Sequence, residues 1–530
     1  MNRTPISVAQ TYLATGQLEK AYDIAVSLLQ RNQADVAALL VLSDVYQRLG
    51  RPDRALDAAR AAFSLQPQVP EVRVQLAWLL ALSNQFAEAM AIGELEIDKR
   101  ASQAVWRKLA HVWGRLENFV KVLSVTEQGL QLWPDDEVLW HERANALRFM
   151  GRQTEAAKAY WFLIERNKAA PSVYYALADM GHTDDERLRQ CLERKLNETD
   201  DTLTKIYCHH ALYKVLERLN CDHEAMTHLQ HGNALQKTRL GFQIGLEENR
   251  LSACEQLLMK TQPWPVESSS DKKTIFVVGM PRTGTTLVDR IISSHPQVTS
   301  IGESQQLALS VKRVAETATP EIIEQSTLSL AQQSIGAVYQ QYLKAVSPLS
   351  GETPYVLDSM PMNFYFIPLL MAVPQAKVIC LVRNGMDACF GNYRQLFAPN
   401  LPYYGYSYDQ EDVATFYVLF RRFLRSVQDK CPENVMILSY EALAMEPDAE
   451  IRRLIDFCDL PWHPGCLTFY KNPTAVATAS TEQVRSPIST RHIGRWRRYA
   501  THLEPMLAAL RSADLEEEEI AGPRVAKQRP

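Results

Sequence analysis

The spacing of apolar positions divides the 530-residue chain into two stretches of different period. Up to about residue 260, apolar residues recur at helical spacing in units about 34 residues long. Gly16, Gly50, Asn84, Asn118 and Gly151 mark a turn in each unit, at spacings of 34, 34, 34 and 33. Five residues after each stands a small or apolar side chain: Ala21, Ala55, Ala89, Leu123 and Ala156. Gly or Asn tolerates the left-handed backbone that ends a helix, and small residues let paired helices approach closely. Pro67 and Pro134 close two units, and a weaker sixth unit around 204–237 keeps the offset with Asn220 and Ala225. Residues 168–203 read as helix off the repeat. From 272 the pattern becomes short apolar runs separated by helical stretches: TIFVVG, QVTSIG, YVLD, KVICLV and VMILS. Such alternation predicts an α/β domain with a mostly parallel sheet covered by helices on both faces. Residues 261–271 are expected to be a linker between domains 1–260 and 272–511, and the acidic tail 512–530 to be disordered.

A period near 34, with Gly between helices and Ala where they pack, matches the tetratricopeptide pattern. The first domain is therefore expected to be an all-α superhelix of stacked pairs, whose concave face takes a peptide or protein partner. A dimerisation or stability module is the alternative, which leaves a homodimer open. The net charge of −4 and pI near 6.3 give no general electrostatic basis for nucleic-acid binding. Nine scattered cysteines without a Cys-x-x-Cys pair point to a reducing compartment. With no leader-like start and no 18-residue apolar run, a cytoplasmic protein without a transmembrane segment is expected. Cys221, His223, His228 and His231 lack a recognised ligand spacing and read as polar helix surface rather than a metal site.

The chemistry is concentrated where the first strand ends. Residues 275–287 run from apolar strand through a glycine-bracketed turn, Gly279 to Gly284, into a helix. Unpaired N–H groups at a helix start attract an anion, and the glycines let the main chain approach it. Thr283, Thr285 and Thr286 add hydroxyls, and Arg282 adds the cation. A Walker A loop carries Lys after its second glycine; Thr285 stands there, so a nucleotide kinase is disfavoured. Glu303, Asp358, Arg383 and Tyr440 each follow another strand, and ligands of such sheets bind beyond the strands' carboxyl ends.

VGMPRTGTTL, GE at 302–303, DSMPMNF, LVRNGMDACFGNYRQLF and ASTEQVRSPI…IGRWRRY occur in the order seen in sulfotransferases. Preceded by the repeats, the chain resembles the bacterial tetratricopeptide-repeat sulfotransferases, relatives of the protein-tyrosine sulfotransferases. The resemblance spans about 272–510 and implies a P-loop-like transferase fold. It also implies 3′-phosphoadenylyl sulfate (PAPS) as donor, 3′-phosphoadenosine 5′-phosphate (PAP) as product, and no metal. Arg282, Thr283, Gly284, Thr285 and Thr286 resemble the loop that holds the 5′-phosphosulfate. Arg383 resembles the 3′-phosphate arginine; Tyr440, Ser480, Thr481, Gln483, Val484, Arg485 and Arg495 match the remaining nucleotide contacts. Glu303 matches the catalytic base and Ser480 the serine that stabilises the transferring group, with Arg282 and Ser480 left to meet the leaving-group charge. The acceptor is expected to be a hydroxyl, of a protein tyrosine or of a glycan, lipid or small molecule. Ser359 replaces a lysine of the family pattern, and Gly391 replaces a serine, with Asn392 and Arg394 the candidates to compensate. A catalytically impaired scaffold is the alternative that these departures keep open.

Overall fold

The computed structural model describes residues 4–94, 98, 100–181, 184–260, 272–317, 323–430, 433–472 and 483–523, the side chains of Pro402 and Gln483 excepted. Fifteen helices precede the first strand among these residues. Two compact units result, one from the N-terminus to Ala169 and a second from Ala170 onward. The expected linker 261–271 lies outside the described residues.

The first unit stacks helix pairs from Pro5–Ala14 to Gln153–Glu165. Its turns fall where the spacing placed them, with left-handed backbone at Gly16 (φ 76°), Gly50 (68°), Asn84 (56°) and Gly151 (78°). The fourth unit differs by one residue. Glu117 takes the left-handed conformation (φ 54°), and Asn118 instead accepts a hydrogen bond from the Lys121 N–H (3.2 Å), capping the next helix. Asn side chains serve both purposes, so the residue type alone did not fix the register. Val122, five residues after Glu117, is accordingly buried, while Leu123 is half-buried. Ala21, Ala55, Ala89 and Ala156 are completely buried, as close helix packing demands.

The second unit begins with five helices and continues into the sheet. Asn220 (φ 59°) and the buried Ala225 reproduce the repeat turn between Thr202–Arg218 and Asp222–Leu240. Five strands follow: β1 (Lys273–Gly279), β2 (Val298–Ser300), β3 (Tyr355–Asp358), β4 (Ala376–Val382) and β5 (Val435–Ser439). All neighbours pair in parallel, in the order β2-β3-β1-β4-β5. The chain fills one side of β1 and then the other, so β1 ends at a topological switch point, where such sheets bind ligands. Ile275, Val277, Leu357, Ile379, Leu381 and Leu438 bury one face of the sheet against Ile291 and Ile292. The helix Gly245–Lys260 packs by fully buried Glu247, which pairs with Arg250 and accepts from the Tyr365 hydroxyl. No described helix is long and apolar enough to cross a membrane.

The tail departs from expectation. Residues Glu517–Ala521 form a helix closed by a capping box between Glu516 and Glu519. Glu519 pairs with Arg421 and, at 2.9 Å, with Arg425, so distant cations neutralise an acidic run that looked solvated. Residues 524–530 lie outside the described residues.

His210 is completely buried, and neither ring nitrogen has a hydrogen-bond partner among the described residues. Burial pushes its pKa down to about 3, below the ordinary value of about 6.5. Burial acts alike on His209 and His492, both near 4. The native state thus refuses protons that the unfolded chain takes up, so stability is full above about pH 6.5 and falls toward pH 4. Melting temperature measured across this window should drop on acidification. His210→Leu is expected to flatten the slope by up to about 1.4 kcal/mol per pH unit.

Candidate active site

The loop after β1 is shaped by close backbone approach. A Cβ on Gly279 (φ 146°) would lie 2.6 Å from the Leu381 carbonyl oxygen, and one on Gly284 (φ 114°) 2.9 Å from the Tyr440 ring. Between them Arg282 takes left-handed backbone (φ 66°), and the buried Thr283 hydroxyl donates to the Met280 carbonyl at 2.7 Å. The helix Thr285–Ser293 starts there, with Gly284 offering no capping side chain to its first N–H groups. Thr285 is buried and Thr286 half-buried in that first turn. Burial lowers the Arg282 pKa, and the charge of Asp179 opposes the shift.

The ends of β4 and β5 form the adjoining wall. The Arg383 guanidinium lies over the Tyr440 ring, 4.5 Å from its centroid. It donates to the carbonyls of Arg282 (3.4 Å) and His492, and lies 3.6 Å from Asp387. Its Nε is buried without a hydrogen-bond partner among the described residues. Asn384 caps the helix Gly385–Tyr393 and donates in turn to Glu441 at 2.7 Å. A Cβ on Gly391 would lie 3.2 Å from Arg282 Cβ, a tight contact that a serine would enter only with a shift of a few tenths of an ångström. The proposed compensators are engaged elsewhere. Asn392 donates to the carbonyls of Pro281 (2.7 Å) and Ala388 (2.9 Å), and Arg394 pairs with Glu217 at 2.6 Å.

The third side is acidic. Glu303 is exposed just beyond β2, on backbone fixed to β3 and its continuation. The Ile301 N–H donates to the Leu357 carbonyl, and the Ser359 N–H to that of Gly302, each at 2.9 Å. Asp358 is buried at the end of β3 and accepts from the Met360 N–H (3.1 Å), Tyr342 hydroxyl (3.1 Å) and Asn363 amide (3.2 Å). Burial raises its pKa to about 7, against the Met360 and Tyr342 bonds, and the charges of Asp289 and Glu303 add to the rise. Asp289 is raised by burial too, and hydrogen bonds from Ser359 and Ser300 offset this. Ser359, standing where the family pattern has lysine, thus serves a carboxylate.

Of the other sequence-predicted residues, Ser480 and Thr481 lie outside the described residues, as does the Gln483 side chain. Val484 is buried, and Arg485 sits beside Arg290 in the last turn of the loop's helix rather than its first. Arg495 pairs with Glu217 at 2.8 Å. The carboxylates Asp179, Glu217 and Asp289 were missed. Each sits on a helix, and only Asp289, in the helix that follows the glycine loop, carried a positional signal.

Residues 274–464 match the sulfotransferase family, and residues 36–79 match a tetratricopeptide repeat. An uncharacterized protein of Aquifex aeolicus (strain VF5) is 30% identical over 72% of this chain and 51% of its own length. The chain thus spans about half of that relative. A putative protein-tyrosine sulfotransferase of Caenorhabditis briggsae is 24% identical over 43% of this chain and 82% of its own. The solved sulfotransferase domain from the curacin biosynthetic pathway is 15% identical with a TM-score of 0.29, covering 47% of this chain and all of that domain.

Proposed function

We propose that this chain, which carries a sulfotransferase-family domain behind N-terminal tetratricopeptide repeats and is distantly similar to protein-tyrosine sulfotransferases, moves a sulfuryl group from PAPS to a hydroxyl acceptor. The orphaned Nε of Arg383 carries the proposal. A buried guanidinium donor without a partner among the described residues, beside an uncapped helix start, suits a bound phosphate. The bound donor supplies an activated sulfuryl group. Arg282 and the N–H groups of the first helical turn hold its 5′ end, and Arg383 and Tyr440 hold the other. Glu303 takes the proton of the attacking hydroxyl, while Arg282 meets the charge developing on the leaving oxygen. Positioning and electrostatics supply most of the catalysis in such transfers. The repeats recruit a protein or peptide acceptor, a tyrosine hydroxyl fitting the similarity.

Ser359 favours one competing function, a binding scaffold without turnover. Where a lysine would support the leaving group stands Ser359, a neutral side chain that hydrogen-bonds Asp289. Calorimetry on the full chain separates the cases. PAP is expected to bind at micromolar concentration and ATP not at all. Transfer of labelled sulfate into a host extract then distinguishes the enzyme from the scaffold, and equal binding of ATP and PAP would reject the donor assignment.

A further inference from the structure

Glu217, on the helix Thr202–Arg218, is only 7% exposed and gathers four donors from three parts of the chain. Arg394 reaches one carboxylate oxygen at 2.6 Å and Arg495 the same oxygen at 2.8 Å. The Tyr499 and Tyr213 hydroxyls donate to the other at 2.8 and 3.0 Å. Burial alone would raise its pKa, yet Arg394 and Arg495 pull it down to about 2, so the carboxylate is charged at neutral pH.

Both arginines adjoin the anion site. Arg394 follows Gly391, which packs on Arg282, and its charge is felt there. Arg495 follows Gly494, whose N–H donates to Asp387 at 2.6 Å, and Asp387 also faces Arg383. The charges of Arg383, Arg394 and Arg495 converge on His492. Guanidinium groups crowded in this way repel one another, and a charge fixed between two of them holds both in place. Arg394 Nε, like Arg383 Nε, is a buried donor without a hydrogen-bond partner among the described residues.

We infer that Glu217 is a positioning residue for the donor: reaching in from the helices that precede the sheet, it fixes Arg394 and Arg495 at the edge of the anion site. The inference rests on the proposed PAPS site. It makes the helices from Ala170 part of that site and not solely a means of recruiting partners.

Calorimetry of the full chain with PAP tests it. Glu217→Gln keeps the size and an acceptor for the tyrosines but loses the charge, and is expected to weaken PAP at least about tenfold. Glu217→Asp, which keeps the charge, should recover most of that loss. A lowered melting temperature with unchanged PAP affinity in Glu217→Gln would show a purely structural role and overturn the inference. Tyr499→Phe removes one donor and leaves both ion pairs, with an expected two- to fivefold loss of affinity. If Glu217→Gln does not fold, unchanged affinity in Tyr499→Phe decides against the inference. Should the wild-type chain give no heat with PAP, the proposed function falls and this inference with it. Wild-type binding with equal affinity in every variant removes the inference alone.

Discussion

Glu303→Gln is expected to slow sulfuryl transfer by about 10²–10⁴, the usual worth of a general base, with PAP affinity within about twofold of wild type. The local structure supports both parts. The backbone around Glu303 is pinned to β3 and its continuation by the Ile301–Leu357 and Ser359–Gly302 hydrogen bonds, and the side chain is exposed. An amide of the same size leaves those bonds intact. Glu303 also shares its surroundings with Asp358, whose pKa its charge helps to raise. Neutralising one of two carboxylates that feel each other's charge relieves repulsion, so the melting temperature should stay close to wild type. Lost turnover would then not be lost folding. Single-turnover transfer of labelled sulfate, with calorimetry and a thermal melt on the same preparation, checks all three. Turnover near the wild-type rate would move the base elsewhere, with Asp358 the next candidate.

The second large effect concerns where the chain is cut. A fragment 272–530 is expected not to fold, whereas 170–530 should melt cooperatively. The shorter fragment loses Glu217, leaving Arg394 without its ion-pair partner. It also loses Glu247, the acceptor for the buried Tyr365 hydroxyl, and Asn233, which donates to the Tyr393 carbonyl at 2.9 Å. Leu251, Leu257 and Leu258 leave with them, all buried. Removing one partner of a buried ion pair alone costs about 3–5 kcal/mol, against a typical domain stability of about 5–15 kcal/mol. Circular dichroism melts of the two fragments, prepared side by side, provide the check. A cooperative melt from 272–530 would mean that the helices 170–260 contribute little to the stability of the sheet.

How legible the fold was depends on the range of the forces that set it. The sheet and its glycine loop could be seen because a buried parallel strand is a continuous apolar run and the turn needs Gly279 and Gly284. The repeats could be seen because their packing is local, so Ala21 and Ala55 recur in phase. Glu117 escaped because left-handed backbone favours Asn over Glu, and an Asn stood beside it. Glu217 escaped for the opposite reason. Its partners, Arg394 and Arg495, lie 177 and 278 residues away, and nothing local distinguishes it from a solvated helix charge. Gly391 reads as a loss of donor function; that a side chain there would press on Arg282 is visible only in the structure. The acidic tail misled for the reason Glu217 did, because Arg421 and Arg425 are its counter-charges.

That final helix has a bearing on how the sulfotransferase-family domain is delimited. The Tyr417 hydroxyl donates to the Arg383 carbonyl at 2.8 Å and faces the Glu519 carbonyl at 3.5 Å. At Gly522 a Cβ would come within 2.8 Å of the Asn384 amide nitrogen. Trimming the protein at residue 511, where composition invites a border, would therefore strip the outer support from the strand end that presents Arg383. Loss of phosphate affinity in such a truncated protein would report on a missing buttress and not on the pocket itself.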